Sequence, residues 1–260
     1  MIRTYSMFYY LNVEIDTTNQ KIDFNDGTGN KVGIIPIGQY SPKQLADQTR
    51  AAMNNVSDST FTVTFNRSAK TYTIASVDGN FSLLISSGAN SGTSVFGILG
   101  YSGSDLSSAA TYTGSASSNV ITYFPQFFVQ DYEPTAHCVD KIDPSVNVTS
   151  SGVVEVVSFG TVNYAKMTFE YITDLAQGGA SPVKNSSSAV ADTLAFMNIL
   201  IKKRHVEFME SESNANSFEI FMLESVEGNS TGTGFRLKEM FDQNLGDHYK
   251  ISNLKFRKMD

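Results

Sequence analysis

Residues 61–75 read FTVTFNRSAKTYTIA. Phe61, Val63 and Phe65 alternate with polar residues, and Tyr72 and Ile74 resume the pattern after the loop NRSAK. Successive side chains of a strand point to opposite faces, whereas helical apolar positions recur every three or four residues. The period of two therefore predicts a β-hairpin with one buried face. That face needs a cover, and the preceding segment supplies one. In YSPKQLADQTRAAMNN, residues 40–55, Ser41 is a good N-cap, Pro42 fits the first helical position and Gln44 completes a capping box. Leu45, Ala46, Thr49, Ala52 and Met53 fall on one side at helical spacing, and Asn54 and Asn55 mark the end. The pattern predicts a short amphipathic helix lying on a sheet.

The flanks extend this module. KIDFND reads as a strand and DGTGN as a turn; Ile34, Ile35 and Ile37 suggest a second strand, with Pro36 arguing for an edge or an irregular pairing. FSLLI is a further strand. Residues 86–118 are rich in Gly, Ser and Thr around one apolar island, Val95 to Tyr101. Such a composition is costly to order, so the segment is expected to order fully only against a neighbour, its tail serving as linker or edge strand. The domain expectation is 1–118 for the first region and 119–260 for the second.

The second region opens on a dense aromatic group, Tyr123, Phe124, Phe127, Phe128 and Tyr132. GVVEVVSFG and YAKMTFEYI are expected to pair across a short turn. In the latter, Ala165, Met167, Phe169 and Tyr171 form an inner row, and Tyr164, Lys166, Thr168 and Glu170 a half-exposed outer row. A helix is expected near 189–203, with Val190, Leu194, Met197 and Ile201 on one side and Lys202, Lys203 and Arg204 at its negative end. FEIFMLESV and YKISNLKF are later strands. The predicted class is α+β and β-rich: a small helix-plus-antiparallel-sheet module joined to a second, mainly β domain with one helix.

Composition narrows the function. The net charge is −7 and no dense basic cluster exists beyond IKKRH, which argues against a direct nucleic-acid partner. No apolar run is long enough for a membrane span. The opening MIRTYSMFYYLNVEID is interrupted by Glu14 and Asp16 and lacks a cleavage pattern, so a secretory leader is not expected. The sequons are then incidental in an Asn- and Ser-rich chain. One cysteine, Cys138, excludes an intrachain disulfide.

Catalytic and metal constellations are weak. His137, His205 and His248 are scattered, without the spacing of a zinc site. Cys138 has no local base, and lone cysteines commonly behave as small hydrophobes. Asp140 and Asp143 in VDKIDP read better as a turn than as an acid/base pair. The glycine-rich runs lack the phosphate-loop pattern, and DFNDGTGN lacks the twelve-residue calcium-loop pattern. Neither a cofactor, a metal nor an enzyme activity is expected.

The run IPIGQYSPKQLADQTRAAMNN, the hairpin at 61–75 and the segment NFSLLISSGANSGTSVFGILGY together resemble a module that recurs in structural proteins of tailed bacteriophages. The second half, through SSGVVEVVSFGTVNYAKMTFEYITD and KISNLKFRK, resembles more weakly the distal-tail type of tail-tip or baseplate hub protein. The resemblance implies a virion structural component, assembled in the host cytoplasm, that acts by oligomerisation and docks to other tail or baseplate proteins. A ring, hexameric or trimeric, is the implied form. Exposed apolar strands suit such an assembly, and Phe124, Phe127, Phe128, Tyr132, Tyr164 and Lys166 are the candidate interface. The alternative is a receptor- or carbohydrate-binding module of the virion, which an exposed aromatic platform would favour.

Overall fold

A computed structural model describes residues 2–3, 7–123, 127–130, 138–141, 145–148, 154–157, 161–172, 193–209, 218–225, 238–239 and 249–259. In chain order the elements are β1 (Ile2–Arg3), β2 (Met7–Leu11), β3 (Lys21–Asn25), β4 (Asn30–Ile34), α1 (Pro42–Asn54), β5 (Phe61–Asn66), β6 (Thr71–Ser76), β7 (Phe81–Leu83), α2 (Phe96–Leu99), β8 (Leu106–Ala109), β9 (Thr111–Thr113) and β10 (Val120–Tyr123). There follow β11 (Phe127–Gln130), β12 (Cys138–Lys141), β13 (Ser145–Val148), β14 (Val154–Val157), β15 (Thr161–Ile172), α3 (Thr193–Ile201), β16 (Val206–Met209), β17 (Phe218–Ser225), β18 (Lys238–Glu239) and β19 (Tyr249–Met259). The fold is β-rich with a little helix, and its sheets are antiparallel. Two compact units divide between Phe8 and Tyr9 and again between Thr122 and Tyr123. Residues up to Phe8 belong with those after Tyr123, whereas the sequence expectation kept them with the first region and drew its line at 118/119.

The unit formed by Tyr9–Thr122 contains two sheets, β4-β3-β7-β8 and β5-β6-β9. The hairpin read from the sequence is present as β5 and β6, with Val63 opposite Ile74 and Phe65 opposite Tyr72. FSLLI does not extend that hairpin. Its strand β7 pairs with β3 and β8 in the other sheet. Four rings drawn alternately from the two sheets join them. Phe24 meets Phe61 at 5.2 Å, Phe61 meets Phe81 at 5.0 Å and Phe81 meets Tyr112 at 4.9 Å, each edge to face. That geometry directs the positive edge of one ring at the negative face of the next.

Helix α1 forms where the sequence placed it. Ser41 accepts from the Gln44 N–H, and the Gln44 side chain accepts from the Ser41 N–H. Leu45, Ala46, Thr49, Ala52 and Met53 are all buried. At the other end Asn54 presents its carboxamide to Phe61, accepting from the N–H at 2.7 Å and donating to the C=O at 3.1 Å. One side chain thus satisfies both backbone groups of the first β5 residue, as a neighbouring strand would.

Residues 86–118 have partners within the chain. Asp105 accepts from the backbone N–H groups and hydroxyls of Ser86 and Ser87. The apolar island becomes α2, with Phe96, Ile98 and Leu99 buried. It ends at Gly100, which has φ +83. The Tyr101 N–H donates to the Phe96 carbonyl and the Gly100 N–H to that of Gly97, the double closure of a Schellman turn. β8 and β9 are then edge strands, one in each sheet.

In the other unit, strands follow the order β1-β11-β15-β19-β17-β16, with β12 also paired to β15 and β18 to β19. The core is aromatic. Phe8 lies 4.8 Å from Phe196, 4.9 Å from Phe208 and 6.1 Å from Phe169. Tyr123 stacks on Phe196 at 4.2 Å and shares a 2.7 Å hydrogen bond with Thr193 through its hydroxyl. The expected pairing of GVVEVV with YAKMTFEYI does not form. Val154–Val157 pairs with Ser145–Val148 instead, because β15 has its edges occupied by β11, β12 and β19.

The helix expected near 189–203 is described from Thr193 to Ile201, and residues 189–192 lie outside the described residues. Thr193, Phe196, Met197 and Leu200 are its buried positions among the described side chains. Lys202 and Lys203 lie past its end, in the turn. The Lys203 N–H donates to Leu200 and the Arg204 N–H to Ile199, again a Schellman closure, here with a lysine at φ +59. The lysine is retained in that strained conformation by its ammonium, which donates to the carbonyls of Leu223 at 2.7 Å and Glu224 at 2.8 Å.

Candidate functional site

Of the residues singled out from the sequence as an interface, Phe124 and Tyr132 lie outside the described residues. Phe127 and Phe128 are in β11, in register with Glu170 and Phe169 of β15. Lys166 is exposed on β15. Tyr164 is not: it is 8% exposed, and its ring carries the Lys255 ammonium 3.6 Å above its centroid. Its hydroxyl is 3.5 Å from Glu224 Oε1, and the other Glu224 oxygen is 3.5 Å from Lys255. Of the inner row, Ala165, Met167 and Phe169 are fully buried, as expected, and the side chain of Tyr171 lies outside the described residues. The outer row departs from expectation, since Thr168 is buried as well as Tyr164. Over Tyr164 the cover is the long side chain of Lys255 from the neighbouring strand β19. Tyr123, from the same aromatic group, is core.

The exposed large apolar side chains among the described residues are Val32, Ile34, Ile37, Val56 and Val77. All are aliphatic, so these residues provide no exposed aromatic platform. Val32 and Ile34 share one face of β4, which ends its sheet, and Ile37 follows at 61% exposure. The opposite face of β4 is closed by α1. A Cβ on Gly33 would lie 2.8 Å from Ile22 and 3.0 Å from the Ala52 carbonyl. The strand expected over Ile34, Ile35 and Ile37 runs instead over Asn30–Ile34, so Ile35 and Ile37 are not part of it and Pro36 lies beyond it. β4 is an edge strand by the strand order.

A second surface is polar and uncharged. Thr62, Thr64 and Asn66 of β5, and Thr111 and Thr113 of β9, are exposed on either side of β6. The registers align Thr64, Thr73 and Thr113 in one row, with a 2.9 Å bond between the last two hydroxyls. Thr62, Ala75 and Thr111 form the next.

The acidic groups near the β3–β4 turn serve internal bonds. Burial would raise the Asp26 carboxyl, but the Ser57 hydroxyl, the Thr28 hydroxyl and N–H, and Lys31 at 3.9 Å outweigh it and bring it down to about 2. Donation from Ser87 and Ser86 holds Asp105 well below the usual carboxylate range. Burial lowers His205, and lowers Lys203 against the opposing pull of Glu224. His137, His248 and Asp143 lie outside the described residues, and so do the side chains of Cys138 and Asp140. Among the described residues no three His, Cys, Asp or Glu side chains gather as metal ligands. No described helix is long and apolar enough to cross a membrane.

One constellation escaped the sequence reading. Asn90 donates from its backbone N–H to Asp23 at 2.6 Å and from its carboxamide to the other Asp23 oxygen at 2.8 Å, while its oxygen accepts from Lys21 at 2.9 Å. Lys21 and Asp23 share a face of β3, but Asn90 is 67 residues further on and no local pattern links it to them.

Comparison with models of known families finds no match, and comparison with characterised protein sequences finds none.

Proposed function

We propose that this chain is a structural component of a bacteriophage tail or baseplate, acting by self-association and by docking to other tail proteins. The observation that carries the reading is the pair of exposed aliphatic side chains, Val32 and Ile34, on a strand at the end of a sheet, with exposed Ile37 just beyond it. An edge strand offers unpaired backbone groups, and uncovered aliphatic side chains beside them favour pairing with another chain. The resemblance of the segments at 35–101 to a virion module is the second support. Light scattering over a concentration series tests the reading. A discrete multimer that dissociates in a Val32→Lys, Ile34→Lys double variant is the expected result. A monomer at every concentration, alone and mixed with tail proteins, overturns it.

The threonine rows of β5, β6 and β9 favour one second reading, a virion module that binds a neutral, hydroxyl-rich ligand such as a glycan. Glycan-array binding that is lost in Thr64→Val, Thr113→Val would select it over assembly.

A further inference from the structure

We propose that Lys21 and Asn90 react to form an intramolecular amide cross-link, with Asp23 carrying the proton. The proposal stands independently of the assembly reading. It begins from the bracketing of one carboxamide. The Lys21 nitrogen lies 2.9 Å from the Asn90 oxygen, so the group that would attack is held against the carboxamide. Asp23 holds the amide nitrogen, the group that would leave, at 2.8 Å. Asp23 is 2% exposed. Among the described residues Lys21 forms no ion pair, and its ammonium donates to the amide.

The backbone holds the three groups together. The Leu84 N–H donates to the Asp23 carbonyl and the Val95 N–H to the Lys21 carbonyl, so the loop carrying Asn90 is tied to β3 at both ends. Its approach is close enough to exclude a side chain at position 88, where a Cβ would collide with the Asp23 carboxylate. Reacting groups held this way need no diffusive encounter, which removes much of the entropic part of the barrier.

The step balances without an oxidant or a co-reactant. The partly exposed Lys21 ammonium gives a proton to solvent, and the freed amine attacks the Asn90 amide carbon. A bond forms between the Lys21 nitrogen and that carbon, which brings the attacking nitrogen next to the amide nitrogen that Asp23 already holds. Asp23 passes a proton from the attacking nitrogen to the original amide nitrogen, the bond from the carbon to that nitrogen breaks, and ammonia leaves. The ammonia takes up the proton first released to solvent and departs as ammonium, so total charge is conserved. The product closes the chain between positions 21 and 90 covalently, and such closure restricts the unfolded state.

Intact-mass spectrometry of the full chain tests this, on fresh protein and after prolonged incubation. The expected mass is that of the sequence less one ammonia, with a branched peptide joining Lys21 to Asn90 and no tryptic cleavage after Lys21. Lys21→Arg and Asp23→Asn are expected to keep the full mass. Lys21→Arg should also melt lower by on the order of 10 °C while keeping the wild-type circular dichroism. A wild-type chain that keeps its full mass after incubation overturns the proposal. So does ammonia loss that persists in Lys21→Arg, which would mark imide formation at an asparagine elsewhere.

Discussion

Gly100 has both reasons a glycine can have. Its φ of +83 lies where L side chains are strained, and a Cβ would run into the Ser115 carbonyl oxygen. Gly100→Ala should therefore cost at least about 2 kcal/mol in a denaturant melt. Lys203 is the contrasting case. Replacing it by glycine relieves an αL penalty of about 1–2 kcal/mol but removes two charge-assisted bonds, together worth more even after discounting for partial exposure. Lys203→Gly should lower stability by about 1 kcal/mol, and an increase would show that backbone strain dominates at this turn. Asp26 sets a pH dependence. Its folded carboxyl titrates at about 2, below the ordinary value near 4. The stability it contributes is complete above that ordinary value and is lost as pH falls from about 4 toward 2. Acid titration of Asp26→Asn should show a shallower loss across that window than the wild type.

At the scale of elements, α1 is held at both ends by side chains. Ser41→Ala removes the side-chain acceptor of the N-cap and should cost about 1 kcal/mol. Asn54→Ala should cost more, about 2 kcal/mol, because it strips both backbone partners from Phe61 at the start of β5. The exposed Lys43–Asp47 pair, at 2.8 Å and one helical turn apart, is worth at most about 0.5 kcal/mol, so Lys43→Ala should be nearly silent. The ordering Asn54 above Ser41 above Lys43, read by thermal melts of the three variants, checks whether burial of the bonded group or mere proximity sets the cost.

For the whole molecule, the chain divides its apolar burial between two aromatic cores, one around Phe61 and one around Phe8. Phe61→Ala opens the ring series that joins the two sheets and should cost about 3–5 kcal/mol. Phe8→Ala should cost a similar amount in the other unit. Hydrogen exchange separates the two: each variant should lose protection mainly in its own unit. Uniform loss across residues 9–122 and beyond would mean that the chain unfolds as one cooperative body. The exposed row on β4 belongs to this scale too. Substituting Val32 and Ile34 by lysine should change association while leaving the melting of the isolated chain within about 0.5 kcal/mol.

What the sequence determined was local and periodic. The capping box at Ser41 and Gln44, the buried stripe of α1, the β5–β6 hairpin and the inner row of β15 all rest on contacts within a few residues or on the two-residue repeat. The tertiary structure decided which strands meet. The apolar run at 154–157 carries no mark naming 145–148 as its partner, and β7 carries none sending it to β3. It also decided the outer face of β15. Tyr164 is buried because Lys255, distant in sequence, lies over its ring. The Gly- and Ser-rich stretch at 86–118 read as costly to order because composition counts the entropy lost and not the partners gained. Asp23, Asp105 and the edges of two sheets provide those partners, and they come together only when the chain has folded.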